Sequence, residues 1–243
     1  MITVVFNAQE TIAQCIQSVI NQKYKNVEHI IIDGGSTDGT LQIVNQYRSS
    51  IKILVSEPDK GIYDAMNKGI TLATGDIIGT LNADDCLTDD GVLTTVAQGF
   101  LDPAIEAVYG DLNMVGQDGR IIRKWHSKQC RTSSFNRGFM PPHPTFYCRP
   151  HLFKKLGSYS LEFGSAADYE LMVRFLFKHK VKSLYLDKII VTMLIGGVSN
   201  KNVTNRLKAW SYDLQAMRKN NISVPALALL LKPLRKMYQY IFL

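Results

Sequence analysis

Early in the chain, apolar runs rich in Val and Ile alternate with helical patterns: ITVVF then TIAQCIQSVINQ, VEHIIID then GTLQIVNQYRSS, IKILVSE then IYDAMNKGITLA, and finally DIIGTLNADD. Runs apolar on both faces suit strands covered from both sides, and strand–helix alternation predicts a parallel sheet with helices on each face, an open α/β fold. Ligands in such sheets bind outside the carboxyl ends of the strands. The residues that end each run are therefore the first candidates for function.

After about residue 100 the pattern is more mixed. A hairpin is expected around VGQDGRII, a Pro-rich loop at MPPHPTF, a helix from about Ala167 to His179 and a strand over KSLYLDKIIVTML. The loop IGGVSNK and basic helices follow. No long-period repeat, low-complexity tract or Pro/Ser linker interrupts the chain. Hydrophobic residues make up 46% of 243, enough for a packed core. Cys15, Cys86, Cys130 and Cys148 are scattered with no metal-ligand spacing, which reads as reduced, buried cytosolic thiols. ITVVFNAQETI has no basic segment before a long apolar stretch and reads as a strand entering a helix, not a signal peptide.

Three acidic elements stand out. Asp33 ends the second run, Gly34 and Gly35 permit a tight turn, and Ser36 or Thr37 can cap the next helix. A carboxylate there can accept from a ribose hydroxyl or a base N–H, or simply serve the turn. The stretch is neither G-x-G-x-x-G nor G-x-x-x-x-G-K-[ST], so a dinucleotide-binding dehydrogenase and a Walker-type hydrolase are not supported. Asp84 and Asp85, adjacent after the fourth run, repel one another unless a cation compensates, and a hard divalent ion completed by a substrate diphosphate would do so. Acids at LTDDG, in contrast, suit a helix N-terminus. Asp168 stands at a helix start behind Ser165, Ala166 and Ala167, placed either as an N-cap or as a general base.

Together these stretches resemble a family 2 glycosyltransferase with the GT-A fold. ITVVFN, DGGSTDGT, SEPDKGIYDAMNKGI, LNADD and ADYELMVRF carry the likeness over roughly residues 1–200, and DKGIYDAMNKGI is the most specific. Similar bacterial enzymes assemble capsule, exopolysaccharide or O-antigen repeat units. The resemblance implies a Rossmann-like open mixed sheet with helices on both faces, followed by a helical C-terminal segment, 201–243. It also implies a nucleotide diphosphate sugar donor, in the first instance a UDP-sugar. Carried over by position, Asn7, Asp33, Lys60, Asp64, Asn67, Asn82 and Asp84 line the donor site, Asp84 holds Mg²⁺ or Mn²⁺, and Asp168 is the catalytic base of an inverting transfer. Asn82 stands where a D-x-D motif has its first carboxylate, leaving the metal fewer charged ligands. His143 and the loop holding Gly196, Gly197, Ser199 and Lys201 are further candidates, for the acceptor and the diphosphate respectively.

Residues 1–200 carry 20 Lys/Arg and 20 Asp/Glu, so the net charge of +7 arises from the tail, with eight basic residues against Asp213 alone. VPALALLLKPLRKMYQYIFL is too short and too charged to span a bilayer, and Pro233 interrupts it. It suits an interfacial helix on an anionic membrane surface, residues 224–243, or a helix packed on the catalytic domain or on a second subunit. An acceptor glycan on polyprenyl diphosphate, as the resemblance implies, agrees with a cytoplasmic enzyme peripheral to the inner face of the membrane. Nucleic acid is not expected, because residues 1–200 lack aromatic–basic interleaving. A homodimer is a further expectation. The alternatives are a sugar nucleotidylyltransferase, whose Gly-rich basic loop FNAQETI lacks, and a non-catalytic sugar-nucleotide binder.

Overall fold

The computed structural model describes the backbone of residues 1–195 and 203–241 and, within the last two helices, the side chains of 208–233. The first half follows the alternation read from the sequence. Strands β1 (Ile2–Val5), β2 (Ile30–Asp33), β3 (Ile53–Ser56) and β4 (Ile78–Asn82) are joined by helices α1 (Ile12–Ile20), α2 (Thr40–Gln46) and α3 (Ile62–Leu72). All pair in parallel, with Val5 opposite Asp33, Asp33 opposite Ser56, and Val4 opposite Asn82. The register brings Phe6, Asp33, Ser56 and Asn82 to one edge, the carboxyl ends.

The second half departs from a parallel sheet. It comprises β5 (Asp85–Leu87), α4 (Val92–Gly99), β6 (Ala107–Val115), β7 (Ile121–Trp125), α5 (Thr132–Phe135), β8 (Tyr147–Cys148), α6 (His151–Leu156), α7 (Ala167–Met172) and β9 (Ser183–Leu194). The sheet runs β3-β2-β1-β4-β8-β6-β9-β5, with β7 on β6. The two-residue β8 is antiparallel to both β4 and β6, so β6 again points the same way as β4. β5 is antiparallel to β9, and β7 forms the expected hairpin with β6. The helix expected to reach His179 is α-helical only to Met172 and continues as a π-helical turn, Val173–Lys178.

Helices α8 (Val203–Lys219) and α9 (Pro225–Ile241) close the chain. Pro233 does not break α9, as expected from its sequence, but lies inside it; its missing N–H removes one helical hydrogen bond. Ala216, Met217, Ile222 and Ala228 join the same buried cluster as Ile2, Tyr109 and Tyr169. Gly164, in the turn before α7, has φ +46°, and a Cβ there would stand 2.6 Å from the Tyr212 ring of α8. Among the described residues no helix is long and apolar enough to cross a membrane.

Candidate active site

The loop after β2 is built around Asp33. Fully buried at 0% exposure, its carboxylate accepts from the N–H groups of Gly35 and Ser36, from the Ser36 hydroxyl and from the Ser56 hydroxyl at 2.6 Å. Gly35, at φ +83°, supplies the left-handed step of the turn. The protein's own donors thus occupy Asp33, which fills the turn role; a nucleotide hydroxyl or N–H would compete with Ser36 or Ser56 for it. Asn7, at φ +48°, ties this loop to β1: its N–H donates to Ser36 Oγ (2.8 Å) and its Oδ1 accepts from the Thr37 N–H (2.8 Å). Phe6 beside it is 61% exposed at the same edge.

In the DKGIYDAMNKGI stretch, Asp64 accepts from the Lys60 N–H at 3.0 Å, which fixes the entry to α3. Asn67 is turned the other way. Its amide holds both backbone groups of Tyr159, at 2.8 and 2.9 Å, and so fastens α3 to the segment leading to α7. The sequence alone had grouped it with the donor contacts.

Asn82, Asp84 and Asp85 follow β4. Asp85 is fully buried, accepts from Asn82 Nδ2 at 3.0 Å, and leaves Oδ1 without a partner, as Asn82 leaves its own Oδ1. Burial, and then the charge of Asp84, push the Asp85 carboxyl well above the usual carboxylate range; burial also raises Asp84. Among the described residues no basic side chain pairs with either, and no three His, Cys, Asp or Glu side chains form a metal cage. Two uncompensated carboxylates and two orphaned oxygens fit a hard cation that keeps most of its shell for water and diphosphate oxygens.

Asp168 opens α7, partly exposed, and accepts from the Tyr169 N–H at 2.7 Å. Burial, and then the Asp168 charge, hold the Tyr63 phenol well above its ordinary range, so Tyr63 remains a proton donor beside Asp168. His143 is 7% exposed with Nε2 at 2.6 Å from the Tyr159 hydroxyl. Its burial lowers the imidazole while Asp168 opposes that, which keeps it neutral near pH 7 and within the influence of Asp168. It is thus a buried neighbour of Tyr159 and Asp168, and among the described residues it belongs to no cage of metal ligands. Tyr63 and Tyr159 were not singled out in the sequence: Tyr63 lay unremarked within IYDAMN, and Tyr159 had no local signal at all. Gly196, Gly197, Ser199 and Lys201 lie outside the described residues.

A mixed α/β sheet with acidic residues after β4 and a helix-borne Asp168 is the architecture of a GT-A glycosyltransferase. The description Glycosyl transferase family 2 matches residues 1–157, well over half of the chain, and the protein belongs to that family. It is 30% identical over 200 residues to a Mycobacterium bovis protein named PGL/p-HBAD biosynthesis glycosyltransferase, covering 80% of this chain and 76% of the relative. Among solved structures it is similar to S. aureus TarS 1–349 in complex with UDP-GlcNAc, with TM-score 0.70, 19% identity and 90% of this chain covered; it spans 65% of that chain. Mannosyltransferase PcManGT from Pyrobaculum calidifontis, in complex with GDP-Man and Mn²⁺, has TM-score 0.68 and 16% identity, with 96% of this chain and 71% of the other covered. The protein is a glycosyltransferase, and the nucleotidylyltransferase alternative falls away.

Proposed function

We propose that the protein moves a sugar from a nucleotide diphosphate sugar, in the first instance a UDP-sugar, to a hydroxyl of a saccharide acceptor with inversion at the anomeric carbon. The observation that carries this is the uncompensated Asp84–Asp85 pair at the carboxyl end of β4, where β1 and β2 end level with it. Asn7, Asp33, Lys60, Asp64 and Asn82 shape the donor side, with Asn67 bracing it from behind. Mg²⁺ or Mn²⁺ held by Asp84 would supply Lewis-acid stabilisation of the leaving diphosphate. Asp168 accepts the proton of the attacking hydroxyl, and Tyr63 beside it keeps the carboxylate oriented. Binding of UDP-GlcNAc and of GDP-Man by the two structural neighbours supports the donor class.

The acceptor is a glycan carried on polyprenyl diphosphate, in bacterial surface polysaccharide synthesis at the inner face of the cell membrane. Membrane contact is supported by the exposed apolar side chains of Leu227 and Leu230 on α9 and of Val224 just before it, on the basic tail. The test is calorimetry with UDP and GDP, in Mn²⁺ and in EDTA, alongside donor turnover. Nucleotide binding should need the metal and vanish in Asp84→Ala. Asp168→Asn should keep nucleotide affinity while transfer falls about 10²–10⁴-fold. Metal-independent binding would remove Asp84 from its role, and near-full transfer by Asp168→Asn would remove the base.

A further inference from the structure

Beyond the β4 end, the same sheet edge carries a second set of polar groups that the reaction above leaves unused. Cys148 of β8 pairs with Ile78 on one side and Ala107 on the other, so the two strands share that rung. Four residues further along each lie Asn82 and Asp111, about level at the carboxyl edge. Tyr109 belongs to the buried cluster that includes Ala167 and Tyr169, whereas Val108, Leu112 and Met114 belong to another. By strand alternation Asp111 and Asn113 share the face of Tyr109, which belongs to the same buried cluster as Ala167 and Tyr169 of α7.

Asp111, 2% exposed, organises this place. Its Oδ1 accepts from the Ser127 N–H at 2.7 Å and the Tyr185 hydroxyl at 3.0 Å, and its Oδ2 lies 2.7 Å from His126 Nδ1. The imidazole is otherwise exposed, leaving Nε2 outward. Two buried atoms here have no partner among the described residues: Asn113 Oδ1, on a residue 9% exposed, and Ser127 Oγ. Buried polar atoms are nearly always paired, so orphans that recur at one place call for an explanation.

We infer that Asn113, Ser127 and His126, held in place by Asp111, form a hydroxyl-binding subsite for the acceptor sugar. This rests on the glycosyl-transfer reading above. The chemistry selects the ligand class. An amide oxygen, a hydroxyl and an imidazole backed by the Asp111 carboxylate favour neutral O–H donors and repel phosphate. The described residues include no three-ligand cage for a metal. The half-buried Tyr185 ring, packed 5.9 Å from the buried Tyr109 ring, adds an aromatic surface.

Saturation-transfer NMR with five methyl glycopyranosides (glucose, galactose, mannose, rhamnose, N-acetylglucosamine), in the presence of UDP and Mn²⁺, tests this. At least one glycoside should receive saturation from the parent protein. Its dissociation constant should rise about fivefold or more in Asn113→Ala and in Ser127→Ala, the loss of one neutral hydrogen bond. Melting temperatures should stay within about 2 °C, because neither side-chain oxygen is paired in the protein alone. Saturation of UDP without any glycoside, or equal affinity in both variants, overturns the subsite and leaves the transferase reading standing. Absence of a UDP signal overturns both.

Discussion

The ties that shape the donor half join one strand end to the next: Asn7 to Thr37, Asp33 to Ser56, and Asp64 to the N–H of Lys60. In the second half they cross between distant elements. Glu170 of α7 receives Arg174 on its own helix and Asn220 from α8, and Arg174 also holds the carbonyls of Leu156, Gly157 and Ser158. The donor half is a set of short loops pinned by hydroxyl–carboxylate contacts on a parallel scaffold. The half that presents Asp168 depends on the terminal helices for its shape. Transfer therefore joins a site that is locally encoded to one assembled over the whole chain.

The largest effect that would break this contrast lies at Lys232. Its Nζ is 2.7 Å from Asp213 Oδ2, both side chains are largely buried, and it sits 3.7 Å from the centroid of Tyr169, next to Asp168. Lys232→Met strands the Asp213 charge, which should cost about 3–5 kcal/mol in urea unfolding. Lys232→Met with Asp213→Leu should recover most of it, since an apolar pair replaces a desolvated ionic one. If the tail were an appendage to the catalytic half, neither variant would shift the main transition by more than about 0.5 kcal/mol.

A second effect belongs to the donor half. His29, 2% exposed under the β1–β2 pair, lies 2.9 Å from Thr3 Oγ1 and leaves Nδ1 unpartnered. Burial, helped by the nearby N-terminal ammonium, lowers its pKa from 6.5 to about 3. Protons then enter the unfolded chain first. Stability present above about pH 6.5 is lost as pH falls toward 3, by up to about 1.4 kcal/mol per pH unit, or roughly 2 kcal/mol by pH 5. Urea midpoints of the parent at pH 7 and pH 5 should separate accordingly, and His29→Phe should flatten that difference. An equal slope in the variant would place the acid sensitivity elsewhere.

The same division decides what could be read from the sequence. β1 to β4 were legible, and Asp33, Asp84 and Asp168 stood out as candidates, because each stands where an apolar run or helix pattern changes, a signal contained in a few neighbouring residues. β8 was not, since two residues pairing antiparallel with strands on both sides leave no periodicity. The tie made by Asn67 was hidden for a related reason. Its motif places it beside the donor residues, but one helical face further round it meets Tyr159, which only the folded chain brings near. Asp111 and Asn113 sit inside a run buried over all but its last residue, so their polarity was the sole local hint, and the partners of Asp111 came from 15 to 74 residues away.

The smallest effect sharpens the comparison where stability and function separate. Asn7 spends its Oδ1 on Thr37 and holds φ +48°, a conformation that costs an L-residue roughly 1–2 kcal/mol, less for Asn. Asn7→Gly removes that strain and a hydrogen bond of about 1 kcal/mol together, so unfolding should change by less than about 0.5 kcal/mol. Asn7→Ala keeps the strain and loses the bond, and should cost about 1–2 kcal/mol. If the side chain also contacts the donor, both variants should weaken UDP binding by a similar factor of about ten, the worth of one hydrogen bond near a charge. Affinity that instead follows stability, intact in Asn7→Gly and reduced in Asn7→Ala, would reassign Asn7 from donor contact to loop tie and leave the nucleotide to the backbone it arranges.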